Sequence, residues 1–470
     1  MDLVADTPLA AGLMHRGAVA APTASSIAAR LERLPMSGYQ RRVFAIIASA
    51  WLVDQMDVAL LTFLLGSIVV AFDLTPTQAG QLAAMTFAGQ LVGNIAAGTA
   101  SDRYGRKMVF QVTMLVWGFA SLAAAAAWSL TALMVCRFLI GVGVGGEAPV
   151  AQAMVSEIVP ANVRGKYIAF MEGFWAIGFV LSGTVSYFVL PYLGWRWAFV
   201  VVGMLSMVVL LVRRGMPESP RWLADAGRLE EAEAVMAHME REVERHTGQK
   251  LPPVPDLPPV APVAFERRQN PVATVFSAEY RTRTIMAFGM WFFALIGFFG
   301  LNSWIAVLLK SQGFSIQASV GFVTLITIGG IPGFFTAAHL LERIGRKPTT
   351  AGFLIMSAVA AYAYGNATDQ TWLFVSGFIM QFFMFGMWSC LYAYTPELYP
   401  TRARSTGAGF ASAFGRIGAI LGPMLVPILV QKGGTAAAFQ VGAGGFLIAA
   451  VLVLALGVET RGKVLEAVSH

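Results

Sequence analysis

Six ionisable residues interrupt the apolar stretches of this 470-residue sequence. They are Asp54, Asp57, Arg137, Glu147, Glu172 and Arg416. An ionisable side chain inside an apolar span usually marks a path for ions or solutes, because lipid penalises an unpaired charge. A carboxyl group in such a place is suited to carrying a proton, and a guanidinium is suited to holding an anion. The six residues therefore indicate a route for a proton, an anion or both.

Two of the acids, Asp54 and Asp57, stand three residues apart, so they share one face of a helix. Neighbouring carboxylates in a low dielectric cannot both ionise cheaply, so we expect one of them to hold a proton. The predicted proton-coupling residues are Asp54, Asp57, Glu147, Glu172 and Arg137. In the alternative interpretation, Arg137 neutralises both aspartates within a structural network.

Arg416 is the residue best suited to an anionic solute. A guanidinium stays charged, and its planar fork grips a carboxylate through two parallel hydrogen bonds. The sequence therefore predicts that Arg416 contacts the substrate. The alternative is that it serves as a structural partner for Glu172 or Glu147.

Aromatic side chains complete the predicted substrate site. Aromatic faces stack well on flat rings, whereas a sugar site would need many neutral hydrogen-bonding side chains. The composition of the predicted helices therefore suits an aromatic acid better than a sugar. Besides Arg416, the predicted substrate-binding residues are Trp175, Phe298, Phe299, Asn302, Trp304, Trp388 and Tyr392.

The elements that carry these residues are predicted to be membrane helices. Hydrophobic residues make up 57% of the chain and charged residues 13%, whereas soluble domains have about 45–50% and about 25%. Stretches of roughly 20 apolar residues must be helical in lipid, because unpaired backbone groups are costly there. Twelve stretches qualify, at roughly 42–71, 78–100, 108–128, 131–156, 167–190, 195–212, 285–309, 316–341, 349–365, 371–395, 405–430 and 437–458.

Loop charges predict the orientation. If the N-terminus is inside, the outer loops hold only Arg196, Lys310 and Lys432 as basic residues, while the inner loops, Arg213 included, are rich in them. We therefore expect a multi-pass protein of the inner (cytoplasmic) membrane with both termini in the cytoplasm. The predicted order is a cytoplasmic tail at 1–40, a six-helix bundle at 41–213, a cytoplasmic central loop at 214–283, a second bundle at 284–458 and a cytoplasmic tail at 459–470.

Within the N-terminal tail, residues 25–34 are predicted to form a short amphipathic helix. Ile27, Leu31 and Leu34 share one face, with Arg30 and Arg33 nearby. Such a helix lies either on the membrane surface or free in solvent.

The two bundles are predicted to be repeats of one another. The acid–Arg–x–Gly–Arg–Lys pattern at 102–107 returns at 342–347, an offset of 240 residues. A Glu-to-Arg segment at 157–164 returns at 397–404 with the same offset. Parallel repeats of this kind place a binding site at their interface, near the bilayer midplane. Arg416 has Ala176 as its counterpart, so the repeat alone does not require a charge there.

The repeated motifs are predicted to form a gate of charge pairs across the two halves on the inner side. We also expect Asp102 either to cap the third helix or to pair with an arginine of a neighbouring loop. Anchoring by positive charge is the alternative, and it explains the basic residues but not the matched acids. The predicted gate residues are Asp102, Arg103, Arg106, Glu157, Arg164, Glu342, Arg343, Arg346, Glu397 and Arg404.

Four motifs, at 102–107, 137–146, 217–222 and 459–463, resemble those of the major facilitator superfamily. The resemblance covers about residues 40–465, and it departs from the sugar-porter form at Val458, where Pro is usual. Further stretches are similar to NiaP-type niacin transporters, relatives of the synaptic vesicle 2-like proteins and the organic anion and cation transporters. They lie at 51–58, 145–150, 172–178, 391–397 and 414–418.

The resemblance implies an all-α membrane protein of twelve helices in two pseudo-symmetric bundles that imports nicotinate together with protons. In the organic anion relatives a cation on the eleventh helix is associated with anionic substrates, which the resemblance extends to Arg416. Carriers of another small organic anion or of a sugar stay open as alternatives. A non-transporting membrane sensor fits less well, because it would not need matched gate motifs.

Nothing in the sequence predicts an enzyme. It has no P-loop, no metal-ligand cluster and no Ser/His/Asp arrangement in a plausible context, so we expect no catalytic residue, metal or cofactor. Transport must then follow a gradient. The expected partners are a small-molecule substrate, protons and the lipid bilayer, with no nucleic acid. One chain holds both halves, so we expect a monomer.

Overall fold

The computed structural model describes residues 23–213, 216–254, 271–400 and 403–461. Twelve long helices, here α1 to α12, form two bundles of six. The first bundle comprises α1 (Gly38–Ala71), α2 (Pro76–Tyr104), α3 (Arg106–Ala125), α4 (Leu130–Ile158), α5 (Ala161–Leu193) and α6 (Trp195–Arg213). The second comprises α7 (Arg281–Ser311), α8 (Ile316–Thr327 and Gly330–Arg343), α9 (Arg346–Gly365), α10 (Gln370–Glu397), and α11 (404–432) and α12 (435–456) within Arg404–Leu456.

The prediction of twelve spanning helices is confirmed. Within the described residues, nine helical stretches are long and apolar enough to cross a membrane by length and composition. The last of these stretches holds both α11 and α12, which are separated by non-helical backbone at Gly433 and Gly434. Helices α2 and α9 complete the set, and they contain more polar and small residues than the others.

Local sequence signals set the ends of the helices. Thr75 caps α2 in a reciprocal arrangement with Gln78, which satisfies backbone N–H groups that have no partner within the helix. Asp369 accepts a hydrogen bond from the backbone N–H of Trp372 at the start of α10. Gly105 ends α2 with φ +101°, a conformation that side-chain-bearing residues rarely adopt.

Close packing of α2 against α4 fixes the position of Gln90. A side chain at Gly145 of α4 would collide with the backbone of Gln90, and one at Gly93 of α2 would collide with that of Val142. Small residues let membrane helices approach this closely. The glycines therefore hold α2 and α4 in a fixed register.

The two bundles meet closely near one end of the helices. Gly80 of α2 approaches Pro423 of α11, where an added Cβ would lie 2.9 Å from the proline carbonyl oxygen. On the other flank Gly321 of α8 faces Tyr187 of α5, where an added Cβ would lie 2.8 Å from the ring. This end is the predicted outer side, opposite the central loop. The two bundles are therefore closed against each other there.

The segment predicted as an amphipathic helix is a helix, but its surroundings differ from both expectations. Ala24–Glu32 packs its apolar face onto the central-loop helix Leu229–Thr247 instead of lying on lipid or in solvent. Ile27 and Leu31 are buried in a cluster that contains Met236. The apolar stripe was visible in the sequence, but its protein partner lies some 200 residues away along the chain, so spacing alone could not reveal it.

Ion pairs surround this apolar contact. Arg30 lies 2.6 Å from Glu240 and 2.5 Å from Glu233, and Arg33 lies 2.5 Å from Glu240. Burial alone would raise the pKa of the Glu240 carboxyl, but hydrogen bonds from Arg30 and Arg33 outweigh it and hold the pKa below its usual value. The tail helix is therefore joined to the central loop by both apolar and charged contacts.

Candidate substrate-binding site

A cavity lies between the two bundles at mid-height. It is lined by α1, α2, α4 and α5 on one side and by α7, α10 and α11 on the other. Its free volume is about 30 Å³, and one water needs roughly 10–15 Å³ on this measure, so a ring-shaped solute needs the helices to move apart. Its polar and aromatic lining residues are Trp51, Gln55, Gln90, Glu172, Trp175, Phe299, Trp388, Tyr392 and Arg416.

Arg416 spans the cavity from α11. Its Nη1 donates a hydrogen bond of 2.6 Å to Oε1 of Gln90 on α2, which links the two bundles. Its Nε donates to no atom of the described residues. Part of the guanidinium is therefore held by a neutral amide, and part of it remains free to bind.

Glu172 lines the same cavity from α5. It accepts a hydrogen bond of 2.9 Å from Nε2 of Gln152 on α4. Glu172 and Arg416 interact electrostatically, but within the described ranges no ion pair joins them. The two opposite charges thus face one cavity without direct contact.

Packed aromatic rings form one wall of the cavity. Trp388 and Tyr392 of α10 stack with ring centroids 5.8 Å apart and planes 28° from parallel. Trp175 of α5 meets Trp388 edge to face at 4.2 Å. Since Trp175 belongs to the first bundle and Trp388 to the second, this wall also joins the halves. Aromatic faces of this kind accept a flat ring.

Four side chains that line the cavity carry hydrogen-bond donors without an acceptor among the described residues. The indole N–H groups of Trp51, Trp175 and Trp388 donate to no atom in the described part of the chain, and neither does Nε of Arg416. Buried donors without partners are rare, and each costs about 1–3 kcal/mol. Four such groups around one cavity indicate a solute rich in acceptors, such as a carboxylate.

Three of the predicted substrate residues lie outside the lining. Asn302 accepts a hydrogen bond of 2.9 Å from Gln381. Nε1 of Trp304 donates to the carbonyl oxygen of Pro423 at 2.9 Å. Phe298 packs behind the wall, 5.3 Å from Trp175 between ring centroids. Sequence reasoning missed Gln55, Gln90 and Trp51, which line the cavity although Trp51 and Gln55 stand next to the acidic pair in the sequence.

A second group of charges is buried inside the first bundle. Asp57 pairs with Arg137 at 3.0 Å, and Arg137 also donates to Thr86 at 3.0 Å. Glu147 pairs with Arg213 at 2.6 Å. All four charged side chains are at most 1% exposed. The prediction that placed Arg213 among the inner-loop cations is therefore wrong, because this residue turns into the bundle from the end of α6.

Asp54 completes this group. Neither of its oxygens has a hydrogen-bond partner among the described residues. It interacts electrostatically with Glu147, Asp57 and Arg213. Of the two aspartates on α1, only Asp57 pairs with Arg137, so the alternative in which Arg137 neutralises both is not what the structure shows. Three carboxyl groups then face two guanidiniums, a set that is neutral only when it holds one proton.

Comparison with known proteins decides the class of this molecule. The family model described as sugar (and other) transporter matches residues 42–470. The chain belongs to this family of the major facilitator superfamily. It is therefore a multi-pass membrane transporter with a small-molecule substrate, and it is not an enzyme.

Two curated relatives are similar over almost the whole chain. The niacin transporter NiaP of Acinetobacter baylyi is 36% identical over 443 residues, which cover 94% of this chain and 99% of the relative. The putative niacin/nicotinamide transporter NiaP of Bacillus subtilis is 33% identical over 428 residues, covering 91% and 98%. A solved structure of the xylose transporter XylE from E. coli, in a partially occluded inward open conformation, superposes with a TM-score of 0.73 at 16% identity. It covers 91% of this chain and 100% of XylE, and this likeness shows the fold.

The predicted gate residues of this transporter lie toward the predicted inner side, and each of the ion pairs described below stays within one half. Arg106 lies 3.8 Å from Glu157 in the first half. In the second half Arg346 lies 3.1 Å from Glu397 and 3.0 Å from Glu342. A gate of pairs across the halves therefore remains a prediction.

The other predicted gate residues have different surroundings. Arg164 reaches Glu32 of the tail helix at 3.2 Å. Arg103 and Arg343 are exposed, and Arg404 begins α11. The side chain of Asp102 lies outside the described residues, so its predicted capping or pairing is untested.

In each half, one glutamate that follows the last helix caps the helix that begins with a predicted gate arginine. Glu218 accepts hydrogen bonds of 3.0 Å from the backbone N–H groups of Arg106 and Lys107 at the start of α3. Glu459 accepts hydrogen bonds of 2.9 and 3.1 Å at the start of α9. Burial alone would raise the pKa of Glu459, but hydrogen bonds from backbone N–H groups, including those of Arg461 and Arg346, outweigh it and lower the pKa. An anion is favourable at a helix N-terminus, so these contacts tie the ends of each half together.

Proposed function

We propose that this transporter imports nicotinate, or a close aromatic carboxylate, across the inner membrane together with protons. The observation that carries the proposal is the set of four unpartnered N–H donors in an aromatic-walled cavity that holds Arg416. Identity of 36% to a niacin transporter over nearly the full length of both chains supports the same substrate class. The expected arrangement is a monomer with both termini in the cytoplasm.

In the proposed complex the carboxylate of the solute binds to Arg416. It takes hydrogen bonds from the free Nε and from Nη1, which now donates to Gln90. Charge-assisted bonds of this kind are about twice as strong as neutral ones, so the exchange of an amide for a carboxylate is favourable. The ring lies against Trp388 and Tyr392, and the indole donors meet its remaining acceptors.

The transport cycle follows from the repeat architecture. The close approach of Gly80 to Pro423 supports closure of the predicted outer side. The inner gate residues pair within their own halves, which supports an inward-facing arrangement. Rocking of one half against the other around the cavity would then reverse which side is closed.

The test is uptake of radiolabelled nicotinate into proteoliposomes, with and without an inward proton gradient. We expect saturable uptake that the gradient stimulates, and loss of uptake in Arg416→Ala. Lys432→Ala removes an exposed cation at the outer end of the same helix and serves as the matched control. Correctly inserted protein that takes up no nicotinate would remove the substrate assignment. Uptake that ignores the gradient would remove the proton coupling.

A further inference from the structure

The two charges that line the cavity are both departures from the internal repeat. Glu172 of α5 corresponds at the 240-residue offset to Ser412 of α11, and Arg416 of α11 corresponds to Ala176 of α5. Each half has thus placed one charge, of opposite sign, where its counterpart has a small side chain. The packing of the repeated helices requires neither charge, because the equivalent position in the other half has a small side chain. Both charges are therefore candidates for a role in transport.

Each of these two charges is hydrogen-bonded to a neutral side chain. Gln152 donates to Glu172 at 2.9 Å, and Arg416 donates to Gln90 at 2.6 Å. Glu172 and Arg416 still interact electrostatically across the cavity. The cavity is therefore neutral when both are ionised, and Arg416 is not consumed by a direct ion pair. An anion can bind to it without first breaking one.

Arrival of an organic anion changes that balance. With the solute on Arg416, the cavity holds one positive and two negative charges, and an uncompensated charge in a desolvated site is costly. Among the described residues that line the cavity, Glu172 is the carboxyl group that can remove the excess by protonation. We propose that Glu172 takes up the proton that accompanies the substrate, one proton for each anion. The inference rests on the proposed function in requiring an anionic solute.

The other charged groups around α5 do not share this role. Arg416 of α11 and Tyr392 of α10 are the groups that act on Glu172 electrostatically. The elements α1, α4 and α6 contribute a separate group that is neutral with one proton, and none of its members lines the cavity. Its proton therefore gives no coupling to the solute. The members of that group are Asp54, Asp57, Arg137, Glu147 and Arg213.

The proton step is balanced. A proton from water on the outer side bonds to a carboxylate oxygen of Glu172, which becomes a neutral carboxyl group as the anion binds to Arg416. When the inner side opens, the anion leaves and Glu172 returns its proton to the cytoplasmic water. The Glu172 carboxylate then balances Arg416 again, and the cycle moves no net charge across the membrane.

The variant that tests the proposal is Glu172→Gln. It keeps the size of the side chain and an oxygen that accepts from Gln152, and it mimics the protonated form. We expect it to exchange labelled for unlabelled nicotinate across the liposome membrane, with a rate that no longer depends on pH. Accumulation driven by an inward proton gradient, present in the wild type, should be lost.

The outcomes separate the possible failures. Gradient-driven accumulation that persists in Glu172→Gln would overturn the assignment of the proton to Glu172, and loss of it only in Asp54→Asn would move the proton to α1. Wild-type protein that transports no nicotinate would overturn the proposed function instead.

A measurement on the wild type covers the case in which the variant does not fold. Titration calorimetry with nicotinate in two buffers of different ionisation enthalpy counts the protons bound. We expect about one proton per anion near neutral pH, following the charge balance above. A count of zero across the pH range would contradict the proposal.

Discussion

The two halves of this transporter have the same arrangement of helices and differ in which charged side chains they bury. In the described residues, the first half buries the acids Asp54, Asp57, Glu147 and Glu172 with two arginines. The second half places one half-buried cation, Arg416, at the cavity. Away from the cavity, this half also has neutral buried polar contacts, such as that of Asn302 with Gln381.

This difference shows that the repeat dictates packing and leaves the chemistry free. Helices α5 and α11 occupy equivalent positions, yet one offers a carboxylate and the other a guanidinium. We therefore propose that the first half carries the proton and that the second recognises the anion. Matched substitutions in the two halves should then have unequal effects.

The largest effect is expected from breaking a buried pair in the first half. Arg137→Ala leaves the fully buried Asp57 without its partner at 3.0 Å, and such changes cost about 3–5 kcal/mol of stability. The measurement is the thermal unfolding midpoint in detergent. Arg416→Ala is the matched change in the second half and should cost less stability, because Arg416 donates to a neutral glutamine.

A double variant sharpens this prediction. Arg137→Met combined with Asp57→Leu removes both charges, and it should recover most of the stability because apolar replacements of buried pairs are often neutral or stabilising. If Arg137→Ala and Arg416→Ala shifted the midpoint equally, the contrast between a structural charge network and a free substrate cation would be wrong.

An intermediate effect is expected from the indole donors. Trp388→Phe keeps an aromatic face, although a smaller one, and removes an N–H that has no described acceptor. A hydrogen bond to a charged group is worth about 1.5–3 kcal/mol, so the Kd for nicotinate should rise roughly 10- to 100-fold. Tryptophan fluorescence or calorimetry would measure it.

The control for this variant lies in the same half. Trp304→Phe removes an N–H that already donates to Pro423, so it should lower stability and leave nicotinate affinity within about threefold. Equal losses of affinity in both variants would indicate that the indole donors of the cavity do not bind the solute.

The smallest effect is expected at the docked tail helix. Glu240→Gln removes ion pairs to Arg30 and Arg33, and partly exposed pairs contribute about 0–1 kcal/mol. Because the pKa of Glu240 is lowered in the folded protein, its contribution is fully present above about pH 4.3, the usual value for Glu. It is lost as the pH falls through the lowered pKa. In the wild type, hydrogen exchange of residues 24–32, corrected for intrinsic rate, should rise only at that acidic end, whereas in Glu240→Gln it should already be raised slightly at neutral pH.

The sequence was sufficient for the fold because membrane helices obey a strong local rule. Each predicted span corresponds to an observed helix, as at 78–100 within Pro76–Tyr104, although spans 108–128 and 437–458 run two or three residues past the helix ends at Ala125 and Leu456. The 240-residue offset also pairs the two halves correctly. Hydropathy could not show that α8 is interrupted between Thr327 and Gly330, since the apolar pattern continues through the interruption.

Side-chain direction was harder to predict, because the sequence does not show which face of a largely apolar helix points to the cavity. Phe299 lines the cavity while its neighbours Phe298 and Asn302 face other helices. Helix α7 is buried on nearly all sides, so no polar face indicates which residues point to the centre. Arg213 was missed for a related reason, because a cation at the end of a span is usually a loop anchor.

In the proposed complex an aromatic carboxylate binds between the halves, with its carboxylate on Arg416. The most direct test is an experimental structure of the protein with nicotinate. We predict carboxylate oxygens about 2.7–2.9 Å from the guanidinium of Arg416, with the ring against Trp388 and Tyr392. A ligand bound outside this cavity, or one whose carboxylate points away from Arg416, would contradict the account.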